Sequence, residues 1–513
     1  MTSPTRRDLL RLTAAGTAVG VTAGSGLLAG ATGAAAAGPV GALVPASLDV
    51  HLARRATFGA TPDVVAQIRR MGRRAWVDQQ LNPGSINDAA CSRMIKTRFP
   101  GLGWNITGAR RNLEPFSWDL MFDLGVATVA RAAWSKRQLF EVMVEFWSNL
   151  LHVTNPSDRA WDNRQDYDRT VLRRHALGRF EEMLIASARH PSMLLYLNNA
   201  ESTRFEPNEN YGRELLELHS VGVDAGYTED EMLQSALIMT GFGVDWETGL
   251  FEYSAWNHYR GRVGVLGFSH SNRTGSGGKD VATAYLKYLA QHPATARRIA
   301  TKLCERFVSD TPPPALVDKL ASVYRANGTA IKPVLRALFA SSAFASSVGK
   351  KVRRPLEDLT STLRILDYGP DKSGVEGMRG LYWMADGLGH APQTWHQPDG
   401  FPDVAVAWQS AGTTLGRWNM HLSLAAHWWP SQLTQPKLRQ LLPKRLPATH
   451  GALVDALTQR LVFRKLSKPH RRAVLTFMGR SAADPLSADD AAVTWRLPYV
   501  VALILDSPYN AVR

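Results

Sequence analysis

Residues 208–219 read NENYGRELLELH, a run whose residue types and spacing could do chemistry. On a helix, Glu209, Arg213 and Glu217 fall at i, i+4 and i+8 as an alternating-charge ladder. Asn210, Glu214 and Glu217 share a second face, and Tyr211, Leu215 and Leu218 form an apolar stripe. Two readings follow. In one, the helix is solvated and laced with ion pairs. In the other, Glu214 and Glu217 turn inward, beside Arg213, as a carboxylate pair for metal binding or acid–base work. His219 stands five residues after Glu214, roughly 140° around a turn of 3.6 residues. The run therefore lacks the one-sided geometry of a His-Glu-x-x-His zinc helix. A metal held by Glu214, Glu217 and His219 needs ligands from other segments. His258, in an aromatic-rich irregular stretch, is a further catalytic candidate, and Trp395 and His396 are candidates for a cofactor-binding wall.

The elements that must position these groups read as mostly helical. Thr61 caps a helix opened by Pro62 and running to about Met71, and another covers 74–81. A long helix is predicted over about 116–153, striped by Leu120, Val126, Leu139, Val142 and Phe146, and another over about 164–190, ending before Pro191. Thr228 and Glu231 form a capping box, and His190 and His292 precede prolines at helix starts, where capping or exposure is the ordinary role. His175 reads as a surface or helix-end residue. The β-leaning region is 241–268, where strand formers separated by turn residues suggest a hairpin pair. The expected fold class is mainly α, a large multi-helix body with a small β-hairpin insertion near 241–268. Residues 47–513 read as one large helical domain, in two lobes if the Pro-rich 309–314 stretch is a hinge.

The N-terminus carries an address. Arg6-Arg7 precedes a charge-free, weakly apolar run to about Gly33 and a small-residue site at 34–37, the pattern of a twin-arginine signal removed after residue 37, with a linker over 38–46. The protein is thus expected to be exported by the twin-arginine translocase and to be extracellular or envelope-associated, with no spanning segment in the mature chain. That route carries folded proteins, which favours a bound metal ion or organic cofactor. The 513 residues hold 60 Lys and Arg against 45 Asp and Glu, a net +15, or +13 once the leader is gone. Export turns that charge away from nucleic acid and toward anionic envelope polymers or glycans. Two cysteines, Cys91 and Cys304, exclude a disulfide framework and a paired-cysteine zinc module. No Gly-x-Ser-x-Gly, Walker or GxGxxG motif is present. Fifteen tryptophans, six of them (Trp383, Trp395, Trp408, Trp418, Trp428, Trp429) in one region, are either core or a platform for sugar rings or a cofactor.

The 208–219 string, continuing through Gly222, Gly226-Tyr227-Thr228 and Thr240-Gly241, resembles the signature of an uncharacterised bacterial family, domain of unknown function 1800. Residues 52–59, Phe146-Trp147, 175–178, 190–193, Leu266-Gly267 and 507–510 agree in order, so the resemblance spans about 48–513. It implies no established activity. Three departures stand out. The family's Phe-Trp-His-Asn-His is Phe146-Trp147-Ser148-Asn149-Leu150 here, with His152 nearby. Its His-Asp-x-Gly-x-Lys becomes His258-Tyr259-Arg260-Gly261-Arg262-Val263, and its Pro-x-x-Gly-Trp becomes Pro398-Asp399-Gly400-Phe401. If the missing groups carry the family's chemistry, this member is altered or inactive. The functional expectation is an exported metal- or cofactor-dependent enzyme built on the 208–219 helix. The alternative is a non-catalytic envelope or polysaccharide-binding protein.

Overall fold

The computed structural model describes residues 43–513 apart from residue 46. The expected leader over 1–37 and most of the expected linker over 38–46 lie outside the described residues. Those described form a mainly α protein, with small two-stranded antiparallel sheets set among many helices.

Local signals place several elements as the sequence reads. The Thr61 side chain accepts the Val64 N–H, and the helix runs Pro62–Met71. Thr228 and Glu231 exchange both capping hydrogen bonds at the start of helix Glu229–Met239. His190 and His292 each accept a backbone N–H two residues on, at 3.2 Å, as helix caps. The β insertion is two hairpins, Phe242–Val244 with Phe251–Tyr253 and Val263–Val265 with Phe268–His270. A third pair, Gly369–Asp371 with Leu433–Thr434, was not expected.

Two long helices are divided. The 116–153 stretch forms Asp119–Trp134 and Gln138–Leu150. The break is built by Asp88, whose carboxylate takes the Ser135 hydroxyl at 2.9 Å and the Lys136 N–H at 2.7 Å, while Ser135 Oγ accepts the Arg137 N–H. Side-chain acceptors replace the helix's own carbonyls there. The 164–190 stretch gives a short α turn, a π segment at Asp168–Arg173 and, after Gly178, helix Phe180–Ala188. Its interruption at 178–180 pairs backbone with Thr329 and Ile331.

Residues Val40–Arg513 make one compact unit. Inside it lie two apolar cores. One gathers Val50 to Leu81 with the segments from Leu139 to Phe344, and the other gathers Cys91 to Ala133 with Leu356 to Tyr509. The chain crosses between cores after Phe344, well past the 309–314 stretch. That stretch is tied down by Asp310, which pairs with Lys351 at 2.6 Å and accepts the Ala405 N–H at 2.7 Å.

The seam between the cores is ionic. Glu145 and Arg306 from the first core meet Arg354 and Glu357 from the second: Arg354–Glu145 is 2.8 Å, Arg354–Glu357 is 3.3 Å, and Arg306 pairs with Glu357. Arg513 adds a contact to Glu357 at 3.1 Å, and Lys351 bonds Asp403 at 3.1 Å. Burial opposes ionisation of Glu357, but Arg306, Arg513 and Arg354 override it and hold the carboxyl well below the carboxylate range. Cys91 and Cys304 are free and buried, and burial pushes both thiols up to about 12.

Candidate functional site

Helix Glu209–Glu217 begins at Asn208, whose side chain accepts the Tyr211 N–H at 2.9 Å. Asn208 Nδ2 donates to the Leu197 carbonyl at 2.8 Å, tying this start to the end of helix Pro191–Tyr196. Tyr211, Leu215 and Leu216 are buried. Gly212 lies so close to helix Glu229–Met239 that a Cβ would stand 2.7 Å from both the Met232 carbonyl oxygen and the Ala236 nitrogen. That contact fixes the helix's rotation and leaves Arg213, Glu214 and Glu217 half-buried. Arg213 turns to Glu229 at 3.1 Å and Glu217 at 3.7 Å, so the ladder's ion pairs form on the outer side.

Glu214 faces a different neighbourhood. Partial burial, then the charges of Glu217 and Asp399, push its carboxyl above the usual carboxylate range, against the pull of Arg213. Asp399 belongs to a strap, residues 395–401, held down at several points. The Tyr196 hydroxyl donates to the His396 carbonyl at 2.9 Å. His152 Nε2 donates to the Trp395 carbonyl at 2.7 Å, and the Thr154 hydroxyl shares that acceptor. The Trp395 indole N–H donates to Asp399 at 2.8 Å, and its ring lies 5.2 Å from Phe401. The Asn149 amide clasps the Phe401 backbone in both directions, at 2.6 and 2.7 Å. Burial, then Asp399 and Glu214, push the Tyr196 hydroxyl up.

Two imidazoles lie beneath. Burial holds His152 at about 4, and burial with the Arg298 and His152 charges holds His219 at about 3. Both are buried and neutral at ordinary pH, and His219 Nε2 has no hydrogen-bond partner. Behind the strap is a cavity of about 30 Å³, lined among others by Glu145, Ser148, Asn149, His152, His390 and Phe401. That is room for about two water molecules. In front of the strap, the charges of Glu214 and Asp399 both act on the Tyr196 hydroxyl and Asp399 acts on Glu214, while His396 and Asp399 are exposed.

His258 belongs elsewhere. Fully buried, it faces the Thr240 carbonyl through Nδ1 and Asn272 Oδ1 through Nε2, both at 2.9 Å. Asn272 Nδ2 donates to the Tyr259 carbonyl, which orients the amide oxygen toward the ring. Gly278 leaves no room for a Cβ beside that ring. The histidine knots the hairpin insertion, and its hydrogen-bond partners are not those of the Glu214 cleft. Among the described residues, no three His, Cys, Asp or Glu side chains are placed to hold a metal ion. Glu214, Glu217 and His219 share a chain segment, but His219 is buried under the cleft and Glu217 faces Arg213 and Tyr227. The donor set does not fit a metal centre.

The model of a family described as "Protein of unknown function (DUF1800)" matches residues 51–511. The chain belongs to the DUF1800 family. No curated protein and no solved structure matches it. In this DUF1800 chain two departures from the expected motifs line the cavity: Ser148, where the pattern has histidine, and Phe401, where it has tryptophan. Leu150, at the second histidine position, is buried, and the altered 258–263 run lies in the hairpin insertion. Asn149, between Ser148 and Leu150, is kept and clasps the strap. Tyr196, Asp399 and Asn149 were not singled out by residue type. Tyr196 sits in an apolar run, Asn149 acquires meaning only through its clasp on Phe401, and Asp399 through its charge on the distant Glu214 and Tyr196.

Proposed function

We propose that the protein is an exported enzyme that cleaves a cell-envelope polysaccharide by acid–base chemistry, with Glu214 as the proton donor. The observation that carries this reading is the half-buried Glu214 carboxyl, pushed above the carboxylate range by burial and by the Glu217 and Asp399 charges. A carboxyl that holds its proton more tightly than usual can give it to a leaving glycosidic oxygen, while a second carboxylate takes the proton of an attacking water. Asp399 fills the second role, steadied by the Trp395 N–H. Tyr196 and His152 hold the strap that carries Asp399. The Arg6-Arg7 leader supports delivery through the twin-arginine translocase to where such polymers lie. No step runs through a metal ion.

The test is release of reducing ends from envelope polysaccharide fractions by the purified protein. The expected result is release that Glu214→Gln abolishes with the melting temperature unchanged. Release that survives Glu214→Gln, or none on any fraction, overturns the assignment. A purely binding role is the competing reading, supported by the half-buried Trp395 ring beside exposed His396. It is separated by polymer retention without cleavage.

A further inference from the structure

Charge is unevenly distributed along the chain. Residues 404–454 contain no Asp or Glu and five basic residues: Arg417, Lys437, Arg439, Lys444 and Arg445. Residues 411–513 hold fourteen Lys and Arg against five Asp and Glu, a net +9 of the chain's +15. The same region shows indoles to solvent. Trp428 is 57% exposed, Trp429 42% and Trp495 63%.

The fold gathers them. The Trp428 ring meets Tyr499 edge-on at 6.5 Å, and Tyr499 lies in the first turn of helix Leu497–Leu505, one turn beyond Trp495. The Arg496 guanidinium stacks over Trp495 at 4.8 Å. Gln435 Nε2 donates to the His427 carbonyl at 3.2 Å, which brings the segment bearing exposed Lys437 and Arg439 beside Trp428. Lys437 and Arg439 make no ion pair among the described residues.

Exposed amphipathic rings flanked by unpaired cations suit one environment closely. Indoles settle at the headgroup level of a bilayer, and Lys and Arg are drawn to anionic headgroups. The run 404–454 that carries Trp428, Trp429, Lys437 and Arg439 is free of acids, so its cations face an anionic surface without a competing carboxylate of the same stretch. We propose that the face formed by Trp428, Trp429, Trp495, Lys437 and Arg439 docks the protein on an anionic lipid bilayer. The positive charge selects the surface and the indoles anchor in it. This docking is independent of Glu214.

The test is co-sedimentation with phosphatidylcholine vesicles containing phosphatidylglycerol, against vesicles of phosphatidylcholine alone. The protein begins at Gly38, since Val40–Arg513 is one compact unit and the apolar leader would bind lipid by itself. Binding to the anionic vesicles only is expected, weakened at high salt and by at least about tenfold on joint Lys437→Glu and Arg439→Glu substitution. Trp428→Ala with Trp495→Ala, a separate pair on exposed positions, is expected to weaken it independently. The proposal is overturned by failure to bind anionic vesicles, by binding that neither pair changes, or by retention on an anionic polysaccharide such as alginate without vesicle binding.

Discussion

Glu214 and His421 illustrate opposite uses of burial on a titrating side chain. At Glu214, burial and two neighbouring carboxylates act together against ionisation. At His421, burial disfavours the cation, but Asp358 at 3.4 Å and Asp506 at 2.8 Å override it and hold the imidazolium to about 9. Because the folded value lies above the ordinary 6.5, this stabilisation is complete below about 6.5 and is lost as pH rises through 9. Urea unfolding between neutral pH and pH 10 is expected to show a loss of roughly 3 kcal/mol that His421→Gln removes. On the acid side the sign reverses. His51 and His219 are held at about 3 and His152 at about 4, so the unfolded chain takes up protons that the fold refuses. Stability is expected to fall as pH drops from 6.5 toward 4, and each histidine replaced by a neutral isostere should flatten the slope of stability against pH.

At the scale of elements, the position of the Glu209–Glu217 helix depends on Gly212. Gly212→Ala places a methyl 2.7 Å from backbone atoms of the neighbouring helix. A loss of about 1–3 kcal/mol is expected in denaturant titration, with the Glu214 cleft displaced. Elements with local causes were legible in the sequence. The Thr61-Pro62 start, the Thr228 capping box and the two hairpins need only neighbours within a few residues. Elements with remote causes were not. The helix break at 135–137 is dictated by Asp88, and the break after Gly178 by backbone near Thr329. The position of the strap at 395–401 is set by His152, Asn149 and Tyr196, all remote in sequence. Of the candidates, Trp395 and His396 lie on the strap that carries Asp399, whose charge reaches Glu214. The loop setting of His258 suggests a site residue, but its contacts with Thr240 and Asn272 make it part of the hairpin insertion's interior.

Across the molecule, two apolar cores are joined by a seam of buried ion pairs in which Glu357 meets Arg306, Arg354 and Arg513. Removing that carboxylate leaves three buried cations short of a partner. Glu357→Ala is expected to cost about 3–5 kcal/mol, read by chemical unfolding, because breaking a buried pair strands its charges. The same seam lies next to the cavity behind the strap, since Glu145 lines the cavity and pairs with Arg354. Loss of Glu357 should therefore also loosen the strap, seen as faster amide exchange at Phe401, whose N–H is held by Asn149.

The proposed acid–base role rests on Glu214 and is open to a direct reading without any substrate. Carboxyl carbon NMR of the folded protein, assigned by comparison with Glu214→Gln, follows this one group through its titration. It is expected to lose its proton above the ordinary glutamate value of 4.5, and Asp399→Asn is expected to bring the midpoint down. A midpoint at or below 4.5, indifferent to Asp399→Asn, would contradict the assignment of Glu214 as the proton donor.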